Sequence, residues 1–426
     1  MLNTSCKTVF FISLVSMICL NAVSQKKDLT QDQMLKGKLP AITIPLPVIS
    51  WDKDDRLVIS KRMHPDSAAM FYSEDPKTGK ELFLHDYKRP DQPKTKSAFL
   101  KDNDVFFSDE KGTELRLTNN KDKEVNPTLS PDNSAVAYTR NNNLFVYDIN
   151  NKKETQLTSD GNDSIMNGYA SWVYTEEILG RASTYRTFWW SPNSKQIAFF
   201  RTDDSPVPVH IITDGAGQHG VEERERYPKV GDKNPEVKIG IVHLNDNHIS
   251  WADFNAKDDQ YFGMPYWTPD GSALWVQWMN RLQNDLKVYS VDPGTGSKKE
   301  VYDEKQKTWV QLEDGFERLH FLKNNRNFIL ESDKTGWNQL YLYDMTGHLI
   351  NPVTEGKFTI TNVNWIDENS ETIYFTARGH ENSARLDFYS VRFNGKDFKR
   401  LTFGDYYNIV QMSPSGAYFI TTYGNS

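Results

Sequence analysis

Hydrophobic and polar positions repeat along this chain in one arrangement from residue 51 onward. An aromatic or apolar residue precedes a short polar turn, and a strand of alternating hydrophobic and polar residues follows. Each turn carries the Asp, Asn, Pro or Gly that tight hairpins require. The lead-ins stand roughly 30 to 75 residues apart, a spacing that suits β-propeller blades with insertions. The eight lead-in residues are Trp51, Leu100, Leu129, Trp190, Trp267, Phe321, Trp365 and Met412.

The strands after the lead-ins recur in a fixed order. A second strand is rich in alternating aromatic residues, as in 144–148 and 340–344, and a third ends in Leu-Thr or Val-Thr, as at Thr158 and Thr354. Because one sheet cannot bury both of its faces alone, stacked four-stranded blades around an axis solve the problem by repetition. The pattern predicts an all-β, eight-bladed β-propeller over residues 49–426. A β-sandwich with coincidental turns is the alternative.

The first 48 residues lack this pattern. Lys7, the apolar run 9–20 and the small residues 22–24 are typical of a secretory signal peptide. The interpretation is a signal peptide over 1–24 and a Pro-rich tether over 25–48. We therefore expect an exported protein, located in the periplasm, the cell envelope or the extracellular space.

Two cysteines, Cys6 and Cys19, both lie inside the predicted signal peptide. A lipoprotein modified at Cys19 is one alternative, which Ile18 disfavours because a small residue is expected before the modified cysteine. An uncleaved anchor is another. After cleavage the protein would have no thiol for a disulfide, for catalysis or for a metal site.

Composition narrows the possible functions. The 426 residues include 13% aromatic side chains and carry a formal net charge of −7, with no long basic run. Nucleic-acid binding is excluded on this evidence, because the phosphate backbone demands a cationic face.

Two segments break the blade rhythm, at residues 163–190 and 203–240, and insertions in a regular scaffold often carry function. The first contains adjacent carboxylates, Glu176 and Glu177, at the predicted start of a short helix. Adjacent glutamates usually form a solvated face, and Glu177 with Arg181 has the i, i+4 spacing of a surface ion pair. Here, however, a bound ammonium would relieve the repulsion between two carboxylates among aromatic side chains. The flanking aromatic residues are Trp172, Tyr174, Tyr185, Trp189 and Trp190.

Four stretches, residues 167–177, 189–193, 227–238 and 336–343, resemble the dipeptidyl peptidase IV family of serine exopeptidases. The resemblance includes bacterial members such as prolyl tripeptidyl peptidases, and it extends from about residue 100 to the end of the chain. It implies a propeller that caps an α/β-hydrolase domain on the same polypeptide. The implied reaction releases N-terminal dipeptides (or tripeptides), after Pro or Ala, without a cofactor or a metal. A homodimer is left open.

By the same resemblance, Glu176 and Glu177 hold the free α-amino group of a peptide substrate and so set the position of cleavage. Thr175 occupies a third position that is acidic in the family. Family members also place an arginine near the substrate carbonyl, and the sequence leaves three candidates open. These are Arg116, Arg140 and Arg181.

The catalytic half of such an enzyme is not recognisable in these 426 residues. They contain no Gly-x-Ser-x-Gly elbow, and the spacing of His243 and His248 does not fit a zinc helix. We expect a chain that is cut inside its last blade after Met412 and is inactive by itself. A stand-alone propeller that binds peptides or protein partners without catalysis is the main alternative. A carbohydrate-acting propeller is a weaker one, because its two carboxylates should face each other across a pocket.

Overall fold

The computed structural model describes residues 48–62, 68–85, 95–310, 318–379 and 382–424. The chain divides into two compact units, Met1–Tyr87 and Lys88–Ser426. The predicted signal peptide and tether lie outside the described residues, except for position 48. In the described part of the chain, no helix is long and apolar enough to cross a membrane.

The first unit contains one antiparallel sheet with the strand order β1-β2-β3-β4. Its first turn is closed by Asp52, whose Oδ1 accepts the amides of Asp54 and Arg56 at 2.9 Å each. This turn follows the predicted lead-in residue Trp51. The strands are β1 (Val48–Trp51), β2 (Leu57–Lys61), β3 (Met70–Glu74) and β4 (Glu81–Phe83).

The second unit begins with two antiparallel sheets, of orders β5-β6-β7 and β11-β10-β9-β8. Their strands are β5 (Ser97–Lys101), β6 (Asp104–Ser108), β7 (Glu114–Arg116), β8 (Glu124–Leu129), β9 (Ala135–Arg140), β10 (Asn143–Asp148) and β11 (Lys153–Gln156). The next sheet has the order β12-β14-β17-β18, with β13 also paired to β14, and a separate ribbon is formed by β15 and β16. These strands are β12 (Ile165–Asn167), β13 (Phe188–Trp190), β14 (Gln196–Asp203), β15 (Val209–Asp214), β16 (Val221–Arg226), β17 (Glu236–His243) and β18 (Ile249–Trp251).

Three further sheets and a final pair complete the unit, with orders β19-β21-β22-β23 (β20 pairs with β21), β24-β25-β26-β27, β28-β29-β30-β31 and β32-β33. The strands of the first two are β19 (Gln260–Phe262), β20 (Tyr266–Trp267), β21 (Leu274–Asn280), β22 (Asp285–Val291), β23 (Lys298–Lys305), β24 (Leu319–Phe321), β25 (Asn327–Ser332), β26 (Gln339–Asp344) and β27 (Leu349–Pro352). The others are β28 (Thr359–Asp367), β29 (Thr372–Arg378), β30 (Leu386–Arg392), β31 (Lys399–Arg400), β32 (Tyr407–Met412) and β33 (Phe419–Gly424). The described residues thus form eight sheets besides the ribbon, and the all-β prediction is confirmed.

Several of the recurring lead-ins are followed by a Ser or Thr whose hydroxyl group closes the next turn. Ser130 Oγ accepts the amide of Ala135, five residues later, at 3.0 Å, which closes the hairpin between β8 and β9. The side chain thereby satisfies a backbone donor that the tight turn would leave without a partner. The same bond recurs from Gln196 to Ser191, from Ala273 to Thr268 and from Tyr418 to Ser413.

The Leu-Thr and Val-Thr endings lie just after the last strand of a sheet. Thr158 Oγ1 accepts the amide of Leu144 at 2.9 Å, and Thr354 Oγ1 accepts the amide of Leu340 at 2.9 Å. Each threonine therefore satisfies the neighbouring strand where the ladder stops. This shared role explains why the motif recurs at the ends of different sheets.

The last sheet has two strands in the described part of the chain. One strand, β33, follows the lead-in at Met412, as expected, and it pairs with β32, which ends at that lead-in. The pair is in register from Tyr407 opposite Gly424 to Met412 opposite Phe419. The residues before the lead-in are themselves the first strand of the pair.

Candidate functional site

The predicted insertion lies between β12 and β13 and is closed at its base. The amide of Thr187 donates to the carbonyl of Gly168 at 3.0 Å, and Tyr169 forms a β-bridge with Arg186. Gly168 has φ +72°, and a Cβ there would lie 3.2 Å from the Phe188 ring. A glycine is required because both the left-handed conformation and the close contact disfavour a side chain.

The glutamate pair lies on a π-helical turn, Tyr174–Ile178. The amide of Leu179 donates to the carbonyl of Tyr174 at 2.8 Å, which is the i to i+5 bond of this geometry. Tyr174 is fully buried, and its hydroxyl accepts the amide of Phe262 at 3.2 Å. Ile178 is also buried. The apolar side of the turn is therefore fixed in the core, and the two carboxylates lie outside it.

The two carboxylates have different environments. The Glu176 side chain is 18% exposed and forms an ion pair with Nε of Arg181, whose side chain is 81% exposed. Glu177 is exposed and has no ion-pair partner among the described residues. The alternative in which Glu177 forms a surface ion pair with Arg181 is therefore not observed. Its i, i+4 spacing assumed a continuous α-helix, whereas the π turn ends at Ile178 and Arg181 begins a separate 3₁₀ turn after Gly180, which has φ +77°.

The flanking aromatic residues do not all face the carboxylates. Tyr174 packs edge-on against Phe200 at a centroid distance of 5.9 Å, and Trp189 does so at 5.0 Å. Trp190 Nε1 donates to the carbonyl of Thr128 at 3.1 Å. These three aromatic side chains anchor the insertion in the core and do not contribute a surface for a cation.

Two half-buried aromatic side chains lie at the outer part of the insertion. Tyr185 stacks on Tyr169, with centroids 5.2 Å apart and planes inclined by 8°. The Trp172 ring contacts the ring of Tyr227, with the two centroids 4.3 Å apart. Tyr227 follows the β15–β16 ribbon directly. The ribbon is thus joined to the glutamate insertion by ring contacts, an arrangement that the sequence did not indicate.

Thr175 occupies a structural position. Its Oγ1 lies 3.0 Å from Oγ of Ser183 and accepts the amide of Tyr185 at 3.0 Å. It thereby holds Thr184 and Tyr185 at φ +51° and +64°, a left-handed conformation that costs free energy in residues other than glycine. The buried hydroxyl therefore closes the insertion on itself.

Carboxylates from the ribbon also approach this region. Burial, followed by the charges of Glu225, Glu176 and Glu223, raises the pKa of the Tyr185 phenol, and Arg181 opposes the shift. Burial, reinforced by Glu223, likewise raises the pKa of Glu225. Sequence reasoning missed Glu223 and Glu225. The available signal was the run of charged residues 222–226 in the second insertion. Only the register of the ribbon shows which of these side chains face the site.

Comparison with known proteins identifies the family. The family described as "Dipeptidyl peptidase IV (DPP IV) N-terminal region" matches residues 91–426. The chain belongs to this family. The dipeptidyl peptidase 4 of Arthroderma otae is 27% identical over 329 residues, which are 74% of this chain and 41% of that protein. The dipeptidyl peptidase 4 of Trichophyton rubrum is 27% identical over 307 residues, covering 69% of this chain and 39% of that protein.

The crystal structure of Porphyromonas gingivalis dipeptidyl peptidase 4 matches 93% of this chain and 58% of that one, with a TM-score of 0.70 and 25% identity. The dipeptidyl peptidase IV resemblance and the β-propeller fold are thereby confirmed, while the number of blades stays a prediction. The chain spans about 40% of the length of the two curated relatives.

The three arginines considered for this family's substrate carbonyl all have carboxylate partners. Arg116 Nη2 pairs with Asp104, and Arg181 pairs with Glu176. Arg140 Nη1 lies 2.9 Å from buried Glu124. Of the three, only Arg181 lies on the insertion that carries the glutamate pair.

His243 has a structural environment. Its Nε2 lies 2.9 Å from the carbonyl of Pro293, and its Nδ1 lies 3.2 Å from Nε2 of Gln196. These partners fit a neutral ring that donates from Nε2 and accepts at Nδ1. Among the described residues, no group of three or more His, Cys, Asp or Glu side chains is arranged to hold a metal ion.

Proposed function

We propose that Glu176 and Glu177 bind the α-ammonium group of a peptide substrate and thereby place its N-terminal segment for cleavage. The observation that carries the proposal is the adjacent pair on the outer side of a turn whose apolar side is buried, in a chain of the dipeptidyl peptidase IV family. A rigid turn holds two acceptors in place before the ligand arrives, which lowers the entropic cost of binding.

The energetics favour an exchange of partners at Glu176. Its ion pair with Arg181 joins it to a side chain that is 81% exposed, and such pairs contribute about 0–1 kcal/mol. A charge-assisted hydrogen bond from an ammonium contributes roughly 1.5–3 kcal/mol. The substrate ammonium therefore displaces Arg181 from Glu176 and binds Glu177 as well.

For the complete protein we propose a serine exopeptidase that releases N-terminal dipeptides (or tripeptides), after Pro or Ala. The hydrolase domain is expected on the same polypeptide, and export to the periplasm, the envelope or the extracellular space is expected from residues 1–24. Support comes from the dipeptidyl peptidase 4 relatives, which extend well beyond the matched region.

The test compares Glu176→Gln and Glu177→Gln in the native polypeptide, using Ala-Pro substrates with a free or an N-acetylated amino group. We expect each variant to lower kcat/KM on the free substrate by at least tenfold, because each loses a charged acceptor. Glu110→Gln, at an exposed turn position, is the control and should leave kcat/KM unchanged.

Two outcomes oppose the proposal. Undiminished cleavage of free N-termini by both variants would remove the assigned role of the pair. A native polypeptide that binds free N-terminal peptides but never cleaves them would favour the non-catalytic propeller.

A further inference from the structure

The β15–β16 ribbon presents two carboxylates on one face. In its register His210 lies opposite Glu225, and Ile212 lies opposite Glu223. Residues directly opposite each other share a face, and alternate residues along a strand do as well. Glu223, Glu225 and His210 are therefore on one face, whereas Glu222 lies on the other.

The face with Glu225 is the one that looks toward the glutamate insertion. The centroids of the His210 and Tyr227 rings are 5.9 Å apart, and those of the Tyr227 and Trp172 rings are 4.3 Å apart. Trp172 belongs to the insertion. Burial raises the pKa of the Tyr169 phenol, and the negative charges of Tyr185 (when ionised) and Glu225 add to this shift. Glu225 thus lies beside the stacked Tyr169–Tyr185 pair, near which Glu176 also lies.

A buried carboxyl group lies near the ribbon. Asp204 is 4% exposed, and its Oδ1 has no hydrogen-bond partner among the described residues. Burial, opposed by Arg226 and reinforced by Glu225, raises the pKa of Asp204 to about 7. Arg226 is engaged elsewhere, since it donates to the carbonyl of Val207 at 2.9 Å and to the hydroxyl of Ser164 at 3.1 Å.

Negative charge around the tyrosine pair therefore exceeds the positive charge available to balance it. The α-ammonium of a substrate and Arg181 together supply two positive charges, against the four carboxylates of Glu176, Glu177, Glu223 and Glu225. Among the described residues Glu223 and Glu225 form no ion pair, and the ion pair of Arg224 with Glu222 lies on the opposite face of the ribbon. Carboxylates without an ion-pair partner that lie close to tyrosine side chains form a binding site for an ammonium or a guanidinium.

We propose that Glu225, assisted by Glu223 and by the Tyr169–Tyr185 rings, binds a second cation of the substrate, the side chain of a Lys or Arg at the first position of the peptide. The inference rests on the proposed function, because the α-ammonium must occupy Glu176 and Glu177 for the first side chain to reach the ribbon. It makes the ribbon a specificity element that favours basic N-terminal residues.

The test measures kcat and KM of the native polypeptide on matched substrates. Arg-Pro is compared with citrulline-Pro, and Lys-Pro with norleucine-Pro, because each pair differs in charge and little in size. We expect KM to be about tenfold lower for the basic member, the ratio that corresponds to 1.4 kcal/mol. Raising the ionic strength should reduce this ratio, since a half-exposed site is screened by salt.

Glu225→Gln should abolish the preference, so that the ratio of KM between norleucine-Pro and Lys-Pro falls to about one. Glu223→Gln should reduce the preference partly, and it serves as the second variant if Glu225→Gln does not fold. Glu222→Gln, on the opposite face of the ribbon, is the matched control and should retain the full preference.

Retention of the preference in Glu225→Gln overturns the inference, and so does equal KM for the basic and neutral members in the wild type. A failure of the proposed ammonium site gives a different result from a failure of the ribbon site. In that case free and N-acetylated substrates would be cleaved equally well. A free N-terminus that is required, without any preference for a basic side chain, refutes the ribbon site alone.

Discussion

Replacing Arg140 tests whether this arginine supports the fold or contacts a substrate. Its Nη1 lies 2.9 Å from Glu124, its Nη2 lies 2.9 Å from Glu154, and its guanidinium lies 4.1 Å from the centre of the Phe145 ring. The Glu124 side chain is fully buried, whereas that of Glu154 is 34% exposed. Glu124 also accepts the amide of Val105 at 3.0 Å.

Arg140→Met removes the cation while keeping most of the apolar volume. Losing one partner of a buried ion pair costs about 3–5 kcal/mol, because the other charge remains in the interior. The half-exposed pair with Glu154 contributes about 0–1 kcal/mol. Glu124, a buried charge that would keep only neutral hydrogen-bond donors, therefore decides the outcome, and we expect the free energy of unfolding to fall by about 3–5 kcal/mol.

The assay is urea unfolding followed by tryptophan fluorescence, with the midpoint and the slope compared between variants. Arg140→Met with Glu124→Gln is the control, because a neutral amide keeps an acceptor for Val105 without a buried charge. We expect the double variant to recover most of the lost stability. A loss below about 1 kcal/mol in the single variant, together with a raised KM on peptide substrates, would refute the reasoning and assign Arg140 to the substrate.

Three further predictions concern other parts of the chain. Burial raises the pKa of Asp204 from 3.8 to about 7. The folded state therefore holds this proton more tightly, and stability falls as the pH rises from 3.8 to 7. Asp204→Asn should thus stabilise the protein in urea unfolding at pH 8, by up to roughly 4 kcal/mol at about 1.4 kcal/mol per pKa unit, and an equal gain at pH 4 would contradict this. Gly168→Ala should lower stability by about 1–2 kcal/mol, because φ is +72° and Phe188 is close; an unchanged midpoint would exclude strain. Thr354→Val should cost about 1–3 kcal/mol by leaving the amide of Leu340 without its acceptor, whereas Thr354→Ser, which keeps the hydroxyl, should lose less.

Much of the fold is readable from local sequence. A hydroxyl at Ser130, followed five residues later by the amide that it binds, makes each hairpin a local event. Thr158 and Thr354 mark the ends of sheets in the same way. Repetition of these short-range devices along the chain predicts both the β class and the succession of sheets.

The site is less readable, because its geometry depends on packing. Glu176 and Glu177 stand out in the sequence and through the family resemblance. The partner of Arg181 does not, because the helical turn ends at Ile178 and the left-handed Gly180 separates it from Arg181. Burial of Tyr174 against Phe200 holds the turn, and residues 26 apart in sequence give no local sign of that contact.

The sequence by itself determined that this is an all-β chain with an acidic pair in an insertion, because turn chemistry and strand alternation act over a few residues. The dipeptidyl peptidase IV type followed from the resemblance of four short stretches to that family. Only the tertiary structure decided which charges meet. It assigned Arg140 to the interior, joined Glu176 to Arg181, and brought Glu225 to the glutamate insertion through the ring contact of Trp172 with Tyr227. Electrostatic interactions depend on distance and burial, and for residues far apart in the chain both quantities are set by folding.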